Sequence, residues 1–340
     1  MDAAVLYLWD SHKSIILFSI VVELISFPLW MYLARLIFNE NVCRSASLLY
    51  VLSPLPLFAT AVSGQNQSFG AAYLGVAILL LIRGRDSLAG FVMGLAIPGV
   101  KFLMVLFAPV TWAFARARLK FLLAWLILPV LTYALLWFTR ADITVPFQIQ
   151  GNDQTSGNLP FLVGLLGVDT ASPISQRCFD LFTLIALAIV FLFHMWRTKT
   201  EEGGWLIDLC VVVGLTFMLC SKKSYTTYLV LFFFPLCMSI VRSGFSVAAA
   251  VHVGIINCIA ALEPSLSFRW IMNPSSAKIP SLAFLSRLHE MPIVISVTFI
   301  AINLALVSFY LQYVIRISRG MYWRKESTPA VKGTVQTEVA

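Results

Sequence analysis

Long apolar segments dominate this sequence and restrict it to folds that can shield them from water. Two of them, Ser14 to Phe38 and Met291 to Ile315, match the roughly 20 residues that a helix needs to cross a lipid bilayer. Hydrophobic residues make up 59% of the 340 residues and charged residues only 12%, too little polar surface to cover a water-soluble core. The sequence therefore predicts an all-α, polytopic transmembrane helical bundle.

The apolar segments predict about 9 to 11 membrane segments in a single domain, residues 1–320. In chain order they are Ser14 to Phe38, Ala46 to Val62, Ser68 to Ile82, Leu88 to Phe114, Leu119 to Phe138, Phe179 to Trp196, Trp205 to Cys220, Tyr228 to Val241, Phe245 to Leu262 and Met291 to Ile315. The longest polar connections, 139–177 and 263–290, are predicted to be outer loops. Residues 321–340 are polar and predicted to form a disordered cytosolic tail.

The segment from Leu88 to Phe114 is expected to be a broken pair of half-spans. Its first half, which ends at Val100, reaches only about 20 Å at about 1.5 Å per residue, less than a hydrocarbon core roughly 30 Å thick. Pro98 and Gly99 interrupt the segment at its centre. We expect the chain to dip into the bilayer, turn near Lys101 and return.

The distribution of lysine and arginine predicts the orientation. If the N-terminus is non-cytosolic, most of the 24 basic residues fall on the inner side, as the positive-inside rule requires. The predicted C-terminus is then cytosolic, whereas the choice between plasma membrane and endoplasmic reticulum stays open. The formal net charge of +8 reflects this topology and not a nucleic-acid partner, because the basic residues form no groove-sized cluster.

Cysteine and histidine patterns predict neither a metal site nor a disulfide framework. The six cysteines show no CxxC spacing and lie mostly in apolar segments, where a thiol behaves as a small hydrophobe. The four histidines are isolated, and no Ser-His-Asp pattern or Walker loop is present. No cofactor is expected, and whether the protein requires a metal ion stays open.

The turn between two apolar segments carries three amide residues, Gln65, Asn66 and Gln67. A tight interhelical turn favours glycine, asparagine and serine for conformational reasons alone. Two glutamines are not needed for turning, so the functional interpretation is that these amides bind a polyhydroxylated head group at the membrane surface.

Lys101 lies in an apolar stretch, where an ammonium group costs several kcal/mol unless it meets water or an anion. The functional interpretation is an anion-binding lysine, with Glu23 as a candidate partner. The alternative is a side chain that extends to the outer interface from a short half-helix.

A second basic stretch follows the apolar segment that ends at Cys220. Lys222, Lys223 and Tyr225, with the neighbouring hydroxyl groups, suit a phosphate clamp, because ammonium groups bind phosphate oxygens and tyrosines favour the interface. The same residues also anchor ordinary helix ends. The outer loop that contains Asp153 has a polar rim suited to a lipid-linked substrate, although an ordinary interfacial loop has the same composition.

Three of these stretches, in order, resemble the GT-C class of integral membrane glycosyltransferases, particularly the polyprenyl-phosphate-sugar-dependent mannosyltransferases of bacteria and the related GPI mannosyltransferase I catalytic subunit. Leu52-Ser53-Pro54 to Asn66 is similar to the family's proline-then-Gly-Gln motif. Ala89-Gly90 to Lys101 resembles its glycine-rich helix ending in lysine. Cys220 to Tyr228 resembles its late outer turn. The resemblance covers about residues 15–240.

The resemblance implies a GT-C-like fold and an inverting transfer of a sugar, with mannose as the expected sugar. The donor would be a polyprenyl- or dolichyl-phosphate carrier, and the acceptor a lipid or glycan on the non-cytosolic face. Lys101 and Lys222 or Lys223 would stabilise the departing phosphate, while Asp10 or Asp153 would deprotonate the acceptor.

The sequence departs from the family at its start, because the family's initial span and the catalytic aspartate of its first outer loop have no counterpart here. An N-terminally truncated sequence or a non-catalytic relative is therefore expected as an alternative, the latter packed beside an active partner subunit. A transporter or lipid flippase, with the broken segment and Lys101 as a midplane site, is the alternative from another class.

Overall fold

A computed structural model describes residues 7, 11–62, 65–99, 102–140, 155–166, 168–170, 172–197, 203–244, 246–267 and 292–323. Every regular element in these ranges is a helix, which confirms the predicted all-α class. The α-helices are α1 (His12–Ile37), α2 (Glu40–Val51), α3 (Pro54–Leu57), α4 (Gln67–Ile82), α5 (Asp86–Gly99), α6 (Ala108–Phe114), α7 (Arg118–Phe138), α8 (Leu159–Leu165), α9 (Pro173–Arg197), α10 (Gly203–Cys220), α11 (Phe233–Arg242), α12 (Val247–Ser267) and α13 (Pro292–Trp323). A π-helix, Phe58–Val62, follows α3, and 3-10 helices precede α6 (Phe102–Phe107) and α11 (Thr226–Phe232).

Five described helices are long and apolar enough to cross a membrane, so the protein has the character of an integral membrane protein. They are Lys13–Ile37, Arg118–Phe138, Pro173–Trp196, Gly203–Cys220 and Ile300–Met321. A sixth span results if α2 and the segment Pro54–Val62, which meet at 51°, are counted as one bent helix. The other apolar segments seen in the sequence form shorter helices of 10–17 residues, such as α4 and α5.

Helix α10 lies at the centre of the bundle. Almost all of its side chains are buried, and it packs against α9, α11, α13 and the 3-10 helix Thr226–Phe232. By contrast, α7 and α9 expose broad apolar faces, with Leu131 and Leu184 as examples. Exposed apolar faces on long helices suit contact with lipid, which solvates leucine as well as a protein interior does.

Two described helical stretches cover most of the segment predicted as a broken pair. Helix α5 contains Pro98 and ends at Gly99, and the next helical turn begins at Phe102. Pro98 and the residue before it are helical, so the proline does not end α5, and the predicted turn near Lys101 stays a prediction. Lys101 itself lies outside the described residues.

Several predicted boundaries shift. The predicted outer loop 139–177 contains α8 and the first turn of α9. Helix α9 begins at Pro173, and the Ser175 amide in its first turn donates to the Ser172 hydroxyl. Helix α12 extends to Ser267, beyond the predicted start of the second outer loop. Helix α13 extends to Trp323, so the predicted tail overlaps its last residues, and residues 324–340 lie outside the described part.

The two ends of the bundle differ in their polar contacts. At one end, called the Arg242 end, the Arg242 guanidinium donates to Asp208 Oδ2 at 2.9 Å and lies 4.4 Å from the Phe38 ring centre. Arg316 donates to the backbone carbonyl of Ser243 at the same end. The opposite end, called the Lys222 end, holds the segment Ser221 to Thr227 and the first turn of α4.

Candidate functional site

The segment that follows α10 forms the centre of a polar cluster at the Lys222 end. The Ser224 hydroxyl donates to the Met218 carbonyl at 2.9 Å, which satisfies one of the backbone acceptors left free where a helix ends. Ser224 and Thr226 are fully buried, and Lys222 nearly so. Buried polar side chains in an apolar bundle need partners, and these partners come from three other helices and a loop.

Gln67 connects this segment to the first turn of α4. Its side-chain amide donates to the Thr227 hydroxyl at 3.2 Å and to Gln65 Oε1 at 3.1 Å. Gln67 is fully buried, and within the described structure its Oε1 atom has no hydrogen-bond partner. The structure therefore brings the predicted amide turn and the predicted lysine segment into contact, although 160 residues separate the two bonded side chains.

Lys222 is held in an ion pair that the sequence did not predict. Its ammonium group lies 2.9 Å from Asp180 Oδ2 and 3.4 Å from Gln176 Oε1, both near the start of α9. The Lys222 side chain is only 8% exposed, whereas that of Asp180 is 58% exposed. An anion that binds Lys222 must therefore replace or share the Asp180 carboxylate.

The loop before α8, residues Thr155 to Asn158, is tied to the same segment, and we call it the strap. The Thr155 amide donates to the Lys222 carbonyl at 3.0 Å, and its hydroxyl accepts from the Ser224 amide at 2.8 Å. Asn158 donates to the Ser224 hydroxyl at 3.2 Å and, as the N-cap of α8, accepts from the Phe161 amide. The strap therefore fixes the backbone on either side of Lys223, directly after Lys222.

Two further buried side chains also form hydrogen bonds to the strap. Glu263, on α12, accepts hydrogen bonds from the hydroxyl groups of Ser156 and Thr226, the latter at 3.1 Å. Asn303, on α13, accepts from the Gly157 amide. Sequence reasoning missed both. A single carboxylate at the end of one apolar segment and a single amide inside another were the available signals.

The remaining predicted site residues fall into two groups. Asn66 precedes α4, the Lys223 amide donates to the Ser221 hydroxyl at 3.2 Å, and the Tyr225 ring lies 5.4 Å from that of Tyr228, so all three lie at the Lys222 end. The other predicted residues lie outside the described residues: Asp10, Lys101 and Asp153.

Glu23, considered as a partner for Lys101, occupies the middle of α1. The Tyr50 hydroxyl donates a hydrogen bond to one of its carboxylate oxygens. The other oxygen is buried without a partner among the described residues. Glu23 therefore contacts α2 within the bundle and is not part of the cluster around Lys222.

In the described part of the chain, no three histidine, cysteine, aspartate or glutamate side chains come together as metal ligands. Comparisons with known proteins add no assignment. No protein-family model matches the sequence. No curated protein sequence matches it either.

Proposed function

We propose that the protein transfers a sugar, with mannose as the leading candidate, from a polyprenyl- or dolichyl-phosphate carrier to a lipid or glycan acceptor at the Lys222 end. The observation that carries this proposal is the hydrogen bond between Gln67 and Thr227. Gln67 directly follows the first of the stretches on which the resemblance to GT-C glycosyltransferases rests, and Thr227 lies in the last of them, so this bond brings the two stretches together at one end of a membrane bundle.

A lipid-linked donor fits the polarity of this arrangement. Its polyprenyl chain can remain among the exposed apolar faces, such as that of α9, while the phosphate and the sugar reach the polar end. Lys222 and Lys223 supply cationic groups for phosphate oxygens, and the partnerless Gln67 Oε1 supplies an acceptor for a sugar hydroxyl. A buried acceptor without a partner costs free energy until a donor reaches it.

The proposed orientation places the Lys222 end on the non-cytosolic side. Arg35, Arg83, Arg242 and Arg316 gather at the opposite end, where Arg35 pairs with Glu40 and Arg83 bonds the Tyr32 hydroxyl. Such an excess of arginine favours the cytosolic side under the positive-inside rule. The sugar would then be transferred in the endoplasmic reticulum lumen or outside the cell.

The test is sugar transfer by the purified protein in proteoliposomes that contain radiolabelled polyprenyl-phosphate-mannose and a membrane lipid extract as acceptor. Gln67→Leu removes the amide at similar volume, and we expect it to lower transfer at least about tenfold, as the loss of a polar substrate contact predicts. Thr216→Val is the matched control, because the Thr216 hydroxyl donates to the Val212 carbonyl of its own helix, α10.

The outcomes separate the alternatives. Full transfer by Gln67→Leu would exclude this site. Movement of the labelled lipid across the bilayer without transfer would favour a flippase or transporter. Absence of both in the wild-type protein, with transfer restored by an added membrane fraction, would favour a non-catalytic subunit of a larger enzyme.

A further inference from the structure

We propose that Asp180 is the base that activates the acceptor, and that the donor's phosphate frees it by taking its place at Lys222. This inference rests on the proposed function and adds a residue to it. Asp180 and Lys222 form an ion pair of 2.9 Å between α9 and the segment after α10. The pair lies beside the strap and the amide turn, where the sugar and phosphate are proposed to bind.

Asp180 and Glu263 both contact the segment after α10, and their exposure favours Asp180 as the base. Glu263 is buried, and each of its oxygens already accepts a hydrogen bond from a hydroxyl group of the protein. Asp180 is 58% exposed and sits near the start of a helix whose apolar face is open to lipid. A base must contact a hydroxyl group that arrives from outside, and of these two described carboxylates the one on Asp180 is open to such a group.

Charge explains why the exchange needs the donor. The Lys222 side chain is 8% exposed, and a buried ammonium left without an anion is strongly unfavourable. Asp180 therefore stays at Lys222 until another anion replaces it. A phosphate diester linked to a sugar carries the required charge, and its oxygens accept the same hydrogen bond. Donor binding thus changes Asp180 from a paired carboxylate into a free acceptor of protons.

Asp180, Lys222, the donor and the acceptor supply all the groups that the transfer step needs. The acceptor's hydroxyl proton moves to an Asp180 oxygen while the acceptor oxygen forms a bond to the anomeric carbon of the sugar. The bond between that carbon and the phosphate oxygen breaks, and its electron pair stays on the phosphate. The released polyprenyl phosphate carries one more negative charge than the bound donor, and the Lys222 ammonium offsets that charge as it develops.

Two measurements on the same full-length variants test this proposal: sugar transfer, and binding of polyprenyl monophosphate to the purified protein. Asp180→Asn should lower transfer about a hundredfold or more, the usual contribution of a general base, yet bind polyprenyl monophosphate more tightly because a competitor for Lys222 is weakened. Lys222→Met should weaken that binding about tenfold or more, as loss of a charge-assisted bond predicts.

Two more variants complete the series. Asp180→Glu should recover part of the transfer, because it keeps the carboxylate. Glu40→Gln is the matched control. Like Asp180, Glu40 is a partly exposed carboxylate in an ion pair, but its partners are arginines and it lies at the Arg242 end. It should change neither measurement.

Wild-type transfer by Asp180→Asn would overturn the assignment. So would weaker binding of polyprenyl monophosphate by this variant, because that result would make Asp180 a structural support for Lys222. If the wild-type protein binds the lipid phosphate but never transfers sugar, the proposed function fails and the role of Asp180 fails with it. If transfer occurs and only the Asp180 results disagree, the proposed function stands without this base.

Discussion

The backbone of Gly90, on α5, lies so close to the carbonyl oxygen of Phe121, on α7, that a Cβ atom at Gly90 would sit 2.2 Å from that oxygen. One turn later, a Cβ at Gly94 would lie 2.3 Å from the Trp125 carbonyl oxygen. The two glycines therefore let α5 and α7 pack backbone against backbone, as small residues four apart do in membrane helices. This contact is the main attachment of α7 to the bundle.

We expect Gly90→Ala to destabilise the protein by about 1–3 kcal/mol, because the new methyl group meets backbone that cannot rotate away. Gly254→Ala is the control, since a Cβ at Gly254, on α12, meets nothing within 4 Å. It should be neutral or slightly stabilising, as alanine favours a helix more than glycine. Thermal unfolding in detergent measures both. Equal losses of stability in the two variants would contradict the packing argument.

The helical fold is predictable from the sequence because a bilayer leaves the chain few alternatives. An apolar segment such as Leu119 to Phe138 has to satisfy its backbone internally, and a helix does so. Helix partners are not predictable in the same way. Gly90 and Gly94 were visible in the sequence, but nothing local to them identifies α7 as the helix they contact.

Local composition predicts some residues of the candidate site but not the partners with which they form hydrogen bonds. Gln67 and Lys222 stand out because amides and ammonium groups are unusual beside apolar segments. Their partners do not. Asp180 is a single carboxylate near the start of an apolar helix, and Thr227 is one of several hydroxyl residues in its segment. Which side chains pair depends on how helices distant in the sequence pack together, and the local residue pattern does not determine that packing.

Removal of one partner of the buried ion pair at the Arg242 end should strongly destabilise the protein. Asp208 is buried, and it accepts from Arg242 at 2.9 Å and from the Ser239 hydroxyl at 2.6 Å. Asp208→Leu should cost about 3–5 kcal/mol, because it leaves a mostly buried guanidinium without its anion. Thermal unfolding of the purified variant measures the loss.

A double-mutant cycle separates pairing from simple loss of volume at this ion pair. Asp208→Leu combined with Arg242→Met should be less destabilised than the sum of the two single variants, because the second change removes the unpaired charge. If the double variant loses as much free energy of unfolding as the two single variants lose together, the two side chains do not depend on each other.

The proposed orientation predicts which cysteines react from each side of a sealed membrane. Cys178 is exposed near the Lys222 end of α9, so a membrane-impermeant maleimide should label it from the non-cytosolic side. Ser87→Cys, exposed beside Asp86 at the start of α5, should be labelled only from the cytosolic side. Mass spectrometry locates the labels, with the buried Cys210 as an internal negative control. Labelling with the opposite sidedness would invert the topology and place the Lys222 end in the cytosol.

The strap should loosen locally when Glu263 loses its capacity to accept two hydroxyl groups. Glu263→Gln replaces one carboxylate oxygen by an NH₂ group, which cannot accept, so one of the two hydroxyl contacts of Glu263 is lost, at about 1–3 kcal/mol, whereas Thr226 keeps its bond to the Ala260 carbonyl at 2.8 Å. Hydrogen exchange should therefore accelerate in peptides that contain the strap and the Ser224 amide, which donates to Thr155. Amides in the middle of α10 should keep their protection, because the packing around that helix is unchanged.

Asn257→Leu supplies the control for the strap prediction, because Asn257 is buried on the same helix as Glu263 but donates to the Val253 carbonyl of that helix. This variant should leave exchange in the strap unaltered. Similar acceleration in both variants would mean that any polar substitution on α12 disturbs the strap, and Glu263 would then have no specific part in holding it. Acceleration confined to Glu263→Gln would assign that part to its two hydroxyl contacts.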